Sequence, residues 1–143
     1  MGYTYSFPRP ALTTDAVVVC EDDLTLLLIE RKADPFEGKW ALPGGFVEED
    51  EEPFEACKRE LREETHLEMG DVTEQLVGVY GKKDRDPRGW TVSVAYFFKV
   101  SKEQKTNVKP GSDSRNAGWF PLEDLPSLAF DHKEIIGDGK MLL

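Results

Sequence analysis

The chain has 143 residues, enough for one domain that buries about two-thirds of its unfolded surface, and a formal net charge of −10. Ten acids against three bases in residues 48–68 supply −7 of that charge, so the acidity is local, and nothing resembles the basic stripe a nucleic-acid duplex requires. Two cysteines cannot build a disulfide framework, no secretory-type start is present, and no stretch approaches about 18 apolar residues, so a reduced, cytoplasmic, single-domain protein over 1–143 with no membrane attachment is expected.

In chain order, residues 3–10 are apolar, aromatic and Pro-punctuated, the composition of an arm that crosses onto a second copy or, equally, of a strand packed within its own sheet; a homodimer is expected. Residues 14–20 and 24–30 read as strands around the Glu21-Asp22-Asp23 turn. Residues 32–39 form a loop marked by Pro35 and Gly38, and 40–42 form a short strand entering Pro43-Gly44-Gly45. Pro53 suits a first helical turn, and the acids around it oppose the positive end of the helix dipole, so a helix is predicted over 53–65. Strands follow over 75–80 and 91–100, the second placing Val92, Val94, Tyr96 and Phe98 on one face. Residues 101–116 read as a mobile polar loop, 119–122 as a last strand and 130–136 as a short helix. Mixed strands with one central and one terminal helix argue an α+β fold.

The predicted central helix carries the strongest chemical signal. At about 100° per residue, Glu60, Glu63 and Glu64 share an arc of about 100°. Phe54, Cys57, Leu61 and Thr65 fall on another face and make the buried stripe. Like charges at i,i+3 and i,i+4 destabilise a helix by about 0.2–0.5 kcal/mol per pair, and a divalent cation reverses that cost. Hard oxygen ligands suit Mg²⁺ or Mn²⁺. Helical spacing alone fits a solvated acidic face equally well.

The neighbouring residues separate the two readings. GFVEEDEEPFEACKRELREETHL, from Gly45 to Leu67, resembles the Nudix hydrolase box G-x5-E-x7-R-E-(apolar)-x-E-E-x-G-(apolar). Gly45, Glu51, Arg59, Glu60, Leu61, Glu63, Glu64 and Leu67 match; His66 stands where the family has Gly. The resemblance implies an α/β/α sandwich with a mixed sheet and a central catalytic loop-helix. It also implies a metal shell from Glu60, Glu63, Glu64 and the Gly45 carbonyl, with Arg59 orienting Glu51 or Glu60. The departure at His66 bears on the helix end, where Gly normally supplies a left-handed cap.

Outside the box, YTYSFPRPALTTDAVV, ERKADPFEGKWALPGGFV, DRDPRGWTVSVAYF and WFPLEDLPSLAFDHKEII resemble a branch associated with ADP-ribose pyrophosphatase activity. That branch also includes transcriptional sensors. The reaction it implies is hydrolysis of ADP-ribose to AMP and ribose 5-phosphate, with Glu60 or Asp113 as the base. Arg31, Arg85 and Arg88 are candidate phosphate or ribose contacts, because guanidinium binds such oxygens bidentately; ordinary surface charge or pairing with Asp84 or Asp86 is the alternative. Phe7, Phe36 and Phe130 lie beside loops and are candidates to stack on adenine, while Trp40, Tyr96, Phe97, Trp119 and Phe120 are expected in the core. His132 is read as a capping or hydrogen-bonding residue. Two other functions share the box: a MutT-like enzyme acting on (oxidised) nucleoside triphosphates, and a non-catalytic ligand sensor.

Overall fold

A computed structural model describes residues 2–111 and 114–143. Among them are seven strands: β1 (Ala11–Cys20), β2 (Thr25–Arg31), β3 (Trp40–Ala41), β4 (Gly44–Phe46), β5 (Leu76–Tyr80), β6 (Thr91–Val100) and β7 (Ser114–Pro121). Three α-helices accompany them, α1 (Pro53–Thr65), α2 (Lys102–Lys105) and α3 (His132–Gly139), the last running into a 3₁₀ turn, Lys140–Leu142. No helix among the described residues is long and apolar enough to cross a membrane.

The strand order is β3-β2-β1-β6-β5, with β4 on β1 and β7 on β2. β1 and β6 are parallel in continuous register from Ala11↔Thr91 to Cys20↔Val100, whereas β1 pairs antiparallel with β4 at its start and with β2 at its end. This division matters for the site. Because β2 pairs with β1 only at Val19 and Cys20, the same edge of β1 is open at Thr13–Asp15 to Gly44–Phe46.

Both faces of the sheet are covered, which explains why 16–20 is a continuous apolar run rather than an alternating one. Ala16, Val18 and Cys20 pack with Phe54, Cys57 and Leu61 of α1, while Val17 and Val19 pack with Ile135 and Ile136 of α3. Strand β6 splits in the same way: Tyr96 and Phe98 face α1, and Ala95 and Phe97 face α3. Phe54 meets Tyr96 edge-on at 5.1 Å and stacks on Phe98 at 5.8 Å. Truncating a large apolar side chain such as Leu61 in this layer costs about 2–5 kcal/mol. The fold is the expected α+β sandwich.

Helix α1 spans the expected residues. His66 adopts the left-handed conformation, φ 64°, and its N–H donates to the Arg62 carbonyl. The expected polar loop at 101–116 is more structured than its composition suggests. Ser101 and Gln104 form a reciprocal capping box that starts α2, and β7 begins at Ser114. Between them, the N–H groups of Lys109 and Gly111 donate to the carbonyls of Thr65 and Glu64, satisfying the end of α1. Gly111 is required there, because a Cβ would lie 1.8 Å from the Glu63 carbonyl oxygen. Asp113, named above as an alternative base, lies outside the described residues.

Two further boundaries differ from the reading. Gly44–Phe46 is a strand although Gly-Gly has poor strand propensity, because pairing with β1 overrides it. The last helix starts at His132, since Phe130 has φ 52° and cannot be helical.

Candidate active site

A cleft of about 420 Å³ opens where the start of β1, the β3–β4 turn, α1, the 81–90 loop and the start of α3 meet. One edge is acidic. Glu64 lies next to Cys57 on the helix wheel and is therefore drawn under the surface, only 6% exposed; its Oε1 accepts the Gly44 N–H at 2.7 Å. Glu60 lies against Gly45 so closely that a Cβ on Gly45 would come within 2.5 Å of its carboxyl carbon. Glu60 and Glu64 line the cleft. Glu63 lies on the opposite side of the helix from Phe54, has a 43% exposed side chain and turns to Arg59.

Arg59 organises this edge. Its Nε and Nη2 form a fork on Glu51, at 3.0 and 2.6 Å, and its Nη1 donates to Glu60 Oε1 at 2.8 Å and Glu63 Oε2 at 3.1 Å. Nη2 also donates to the Phe46 carbonyl at 3.1 Å. The Glu51 hydrogen bonds, followed by those to Glu60, raise the Arg59 pKa further. In return, Arg59 holds the Glu51 carboxyl below its ordinary value. Among the described residues, no three Asp, Glu, His or Cys groups converge into a closed metal cage, since Arg59 engages Glu60 and Glu63. The donor set nevertheless suits a hard divalent cation, and the bare Cα of Gly45 brings a backbone carbonyl segment up to Glu60 where any side chain would intrude.

The opposite edge is basic and aromatic. Arg31 donates from Nε to the Pro35 carbonyl at 2.6 Å, and its Cζ lies 5.0 Å from the Phe130 ring centre. Burial lowers its pKa, and the neighbouring Arg88 adds to that. Arg88 pairs with the buried Asp86 at 2.8 Å and lies 5.2 Å from the Phe46 ring centre and 5.6 Å from that of Phe130. Burial opposes ionisation of Asp86, but the Arg88 bonds prevail and leave its pKa lowered. Arg85 does not pair with Asp84 or Asp86. Its Nε and Nη2 form a fork on Asp131 at 2.8 and 2.6 Å, and Nη1 donates to Thr91 Oγ1 at 3.2 Å. A guanidinium has five N–H donors, so two remain for other acceptors at the cleft wall.

Thus Glu60, Glu64, Gly45, Arg31, Arg85, Arg88 and Phe130 line one cleft, while Arg59 and Glu63 sit just behind its acidic edge. Phe36 packs edge-on against Phe130 at 4.8 Å, and Phe7 is 76% exposed on the terminal arm. Of the aromatics expected in the core, Tyr96 and Phe97 are buried, and Trp40, Trp119 and Phe120 are packed partly buried against it. Phe46, Asp15 and Asp131 were not picked out from sequence. Asp15 had a usable signal, a lone acid beside a continuous apolar run, since a buried carboxylate requires partners.

Comparison with known proteins gives the family. The NUDIX domain profile matches residues 10–138. An ADP-ribose pyrophosphatase of Methanocaldococcus jannaschii is 45% identical over 130 residues, which are 91% of this chain and 73% of that protein. The ADPR responsive transcriptional repressor NtrR of Acinetobacter baylyi is 36% identical; the match covers 91% of this chain and 53% of the repressor, so the chain spans about half of its length. Among solved structures, the NUDIX domain of Shewanella oneidensis NrtR complexed with ADP ribose matches with a TM-score of 0.84 at 32% identity, over 96% of this chain and 90% of that one. With the box intact at its acids and the domain matched over 10–138, this chain belongs to the NUDIX domain family.

Proposed function

We propose that this protein is a divalent-metal-dependent pyrophosphohydrolase that cleaves ADP-ribose to AMP and ribose 5-phosphate. The observation that carries the reading is the polarity of a single cleft: Glu60 and Glu64 form one wall and Arg31, Arg85 and Arg88 the other. A pyrophosphate bridging two organic groups needs both, a cation held at its oxygens and cationic side chains along its arms. The similarity to an ADP-ribose pyrophosphatase narrows the substrate.

Glu60, Glu63 and Glu64, with the Gly45 carbonyl, are assigned to Mg²⁺ or Mn²⁺, which when bound neutralises pyrophosphate oxygens and acidifies a water. Arg59 holds Glu51 and Glu60 in place, so the carboxylates are oriented before substrate arrives. Glu60 or Asp113 accepts the proton of the attacking water. Arg31, Arg85 and Arg88 take phosphate and ribose oxygens, and Phe130 offers a ring face to the adenine. Residues 2–10 are exposed in the single chain, with Tyr3 and Tyr5 stacked at 6.2 Å, which supports their role as an arm between two copies of a cytoplasmic homodimer.

The sensor reading has one observation in its favour, the 36% identity to a repressor described as ADPR responsive. The intact Glu60, Glu63 and Glu64 favour catalysis. Incubation of the protein with ADP-ribose and Mg²⁺, followed by chromatography, distinguishes the two: AMP and ribose 5-phosphate support the hydrolase, and binding without products under any divalent metal supports the sensor.

A further inference from the structure

Leu42, Pro43 and Gly44 deliver Gly45 to Glu60, and each of the three has a held backbone group. The Leu42 N–H donates to His132 Nδ1 at 2.9 Å, the Pro43 carbonyl accepts from the Ala16 N–H at 2.8 Å, and the Gly44 N–H donates to Glu64 Oε1 at 2.7 Å. The fit leaves little slack, since a Cβ on Gly44 would lie 2.0 Å from the Thr14 carbonyl oxygen. Two of the holds are side chains, and they differ in kind. Glu64 is assigned above to the cation, and a carboxylate oxygen that shares its electron pairs with a cation is a poorer acceptor for an amide. The His132 hold faces no such competition.

His132 is built for this task. It is 4% exposed at the start of α3, and because a backbone N–H can only donate, Nδ1 must carry a lone pair. The ring is therefore neutral and protonated on Nε2, which lies 3.2 Å from Asp15 Oδ1. The other Asp15 oxygen accepts the Ser93 hydroxyl. The imidazole is thus clamped between β1 and the β3–β4 turn in one tautomer.

We propose that His132 is a positioning residue for the metal edge of the site: through Leu42 it holds the Gly44–Gly45 segment against Glu60 while Glu64 turns to the cation. This rests on the metal-dependent reading above. Asn and Gln separate its two contacts, because the Asn amide oxygen falls near Nδ1 and the Gln amide group near Nε2. In the full chain, His132→Asn should keep Mn²⁺ affinity, measured by electron paramagnetic resonance of free Mn²⁺, within about threefold of wild type. His132→Gln should weaken it by about tenfold or more. Long-range ¹H–¹⁵N spectra of the metal-free protein should show His132 protonated on Nε2. Equal Mn²⁺ affinity in the two folded variants, a ring protonated on Nδ1, or wild type that binds no Mn²⁺ would overturn the proposal. Wild type that binds Mn²⁺ but leaves ADP-ribose intact overturns the hydrolase reading alone.

Discussion

The two walls of the cleft are built in opposite ways. The acidic wall is local: Glu51, Arg59, Glu60, Glu63 and Glu64 fall within fourteen consecutive positions of one loop and helix, and Arg59 links Glu51, Glu60 and Glu63 through four nitrogen-to-carboxylate contacts and holds the Phe46 carbonyl with a fifth. The basic wall is assembled from distant pieces. Arg31 ends β2, Arg85 and Arg88 sit in the loop before β6, and Phe130 and Asp131 precede α3. A locally built wall can be read from spacing. A wall assembled by tertiary contacts depends on partners such as Asp131, 46 residues from Arg85, that no local pattern names. The proposed roles divide along the same line, with reacting-centre groups assigned to the first wall and substrate-gripping groups to the second.

Substitutions on the two walls should therefore fail differently. The largest effect is expected on the acidic wall. Glu64→Gln keeps the size of the side chain but removes the charge, so kcat should fall by orders of magnitude with the far-ultraviolet circular dichroism unchanged, and chelation should abolish wild-type activity until Mg²⁺ or Mn²⁺ is restored. Full activity of that variant at limiting Mg²⁺ would remove the metal assignment. On the basic wall, Arg85→Ala and Arg88→Ala should mainly raise KM for ADP-ribose. Both should also lose stability: losing Arg85 strands a partly buried Asp131 and losing Arg88 strands the more deeply buried Asp86, each costing about 1–3 kcal/mol, readable by urea unfolding. If either variant lowers kcat and leaves KM unchanged, the division between walls is wrong.

Smaller effects test the framework of the acidic wall. Arg59 holds the Glu51 carboxyl below the ordinary carboxylate value, so its pairing contributes stability that is fully present above that ordinary value. The contribution is lost as pH falls through the lower folded value. Glu51→Gln should accordingly flatten the acid side of the stability profile and leave it unchanged near pH 7 apart from a constant offset. The smallest change is expected at His66, whose φ is 64°. His66→Gly should raise stability by up to about 1 kcal/mol with activity retained. A large loss of activity there would give His66 a role in the site.

Much of this is legible in the sequence. Helix α1 and strand β6 have the boundaries their patterns gave, because each pairs a clear period with a clear stop, Pro53 and the left-handed His66 in one case and the capping Ser101 in the other. β4 was missed because two glycines carry no strand signal and pairing with β1 alone makes the strand. The 101–116 segment looked featureless because its order comes from Lys109 and Gly111 docking on the end of α1, although Ser101 and Gln104 already spelled a capping box. Glu60 and Glu64 line the cleft, on the helix where the box pattern put them; their wheel positions beside and opposite the apolar stripe anticipate that Glu64 is buried and Glu63 exposed, but not the Gly44 N–H that Glu64 accepts. Likewise, Arg85 was recognisable as a cation, but its buried fork on Asp131 exists only in the folded chain.

The central claim is that the two walls act on one pyrophosphate bridge. Steady-state turnover of ADP-ribose, ATP and 8-oxo-dGTP with Mg²⁺, with products identified by chromatography, tests it most directly. ADP-ribose should give AMP and ribose 5-phosphate with the highest kcat/KM of the three, and nothing without metal. A triphosphate preferred by about tenfold or more in kcat/KM would contradict the account and favour a MutT-like enzyme.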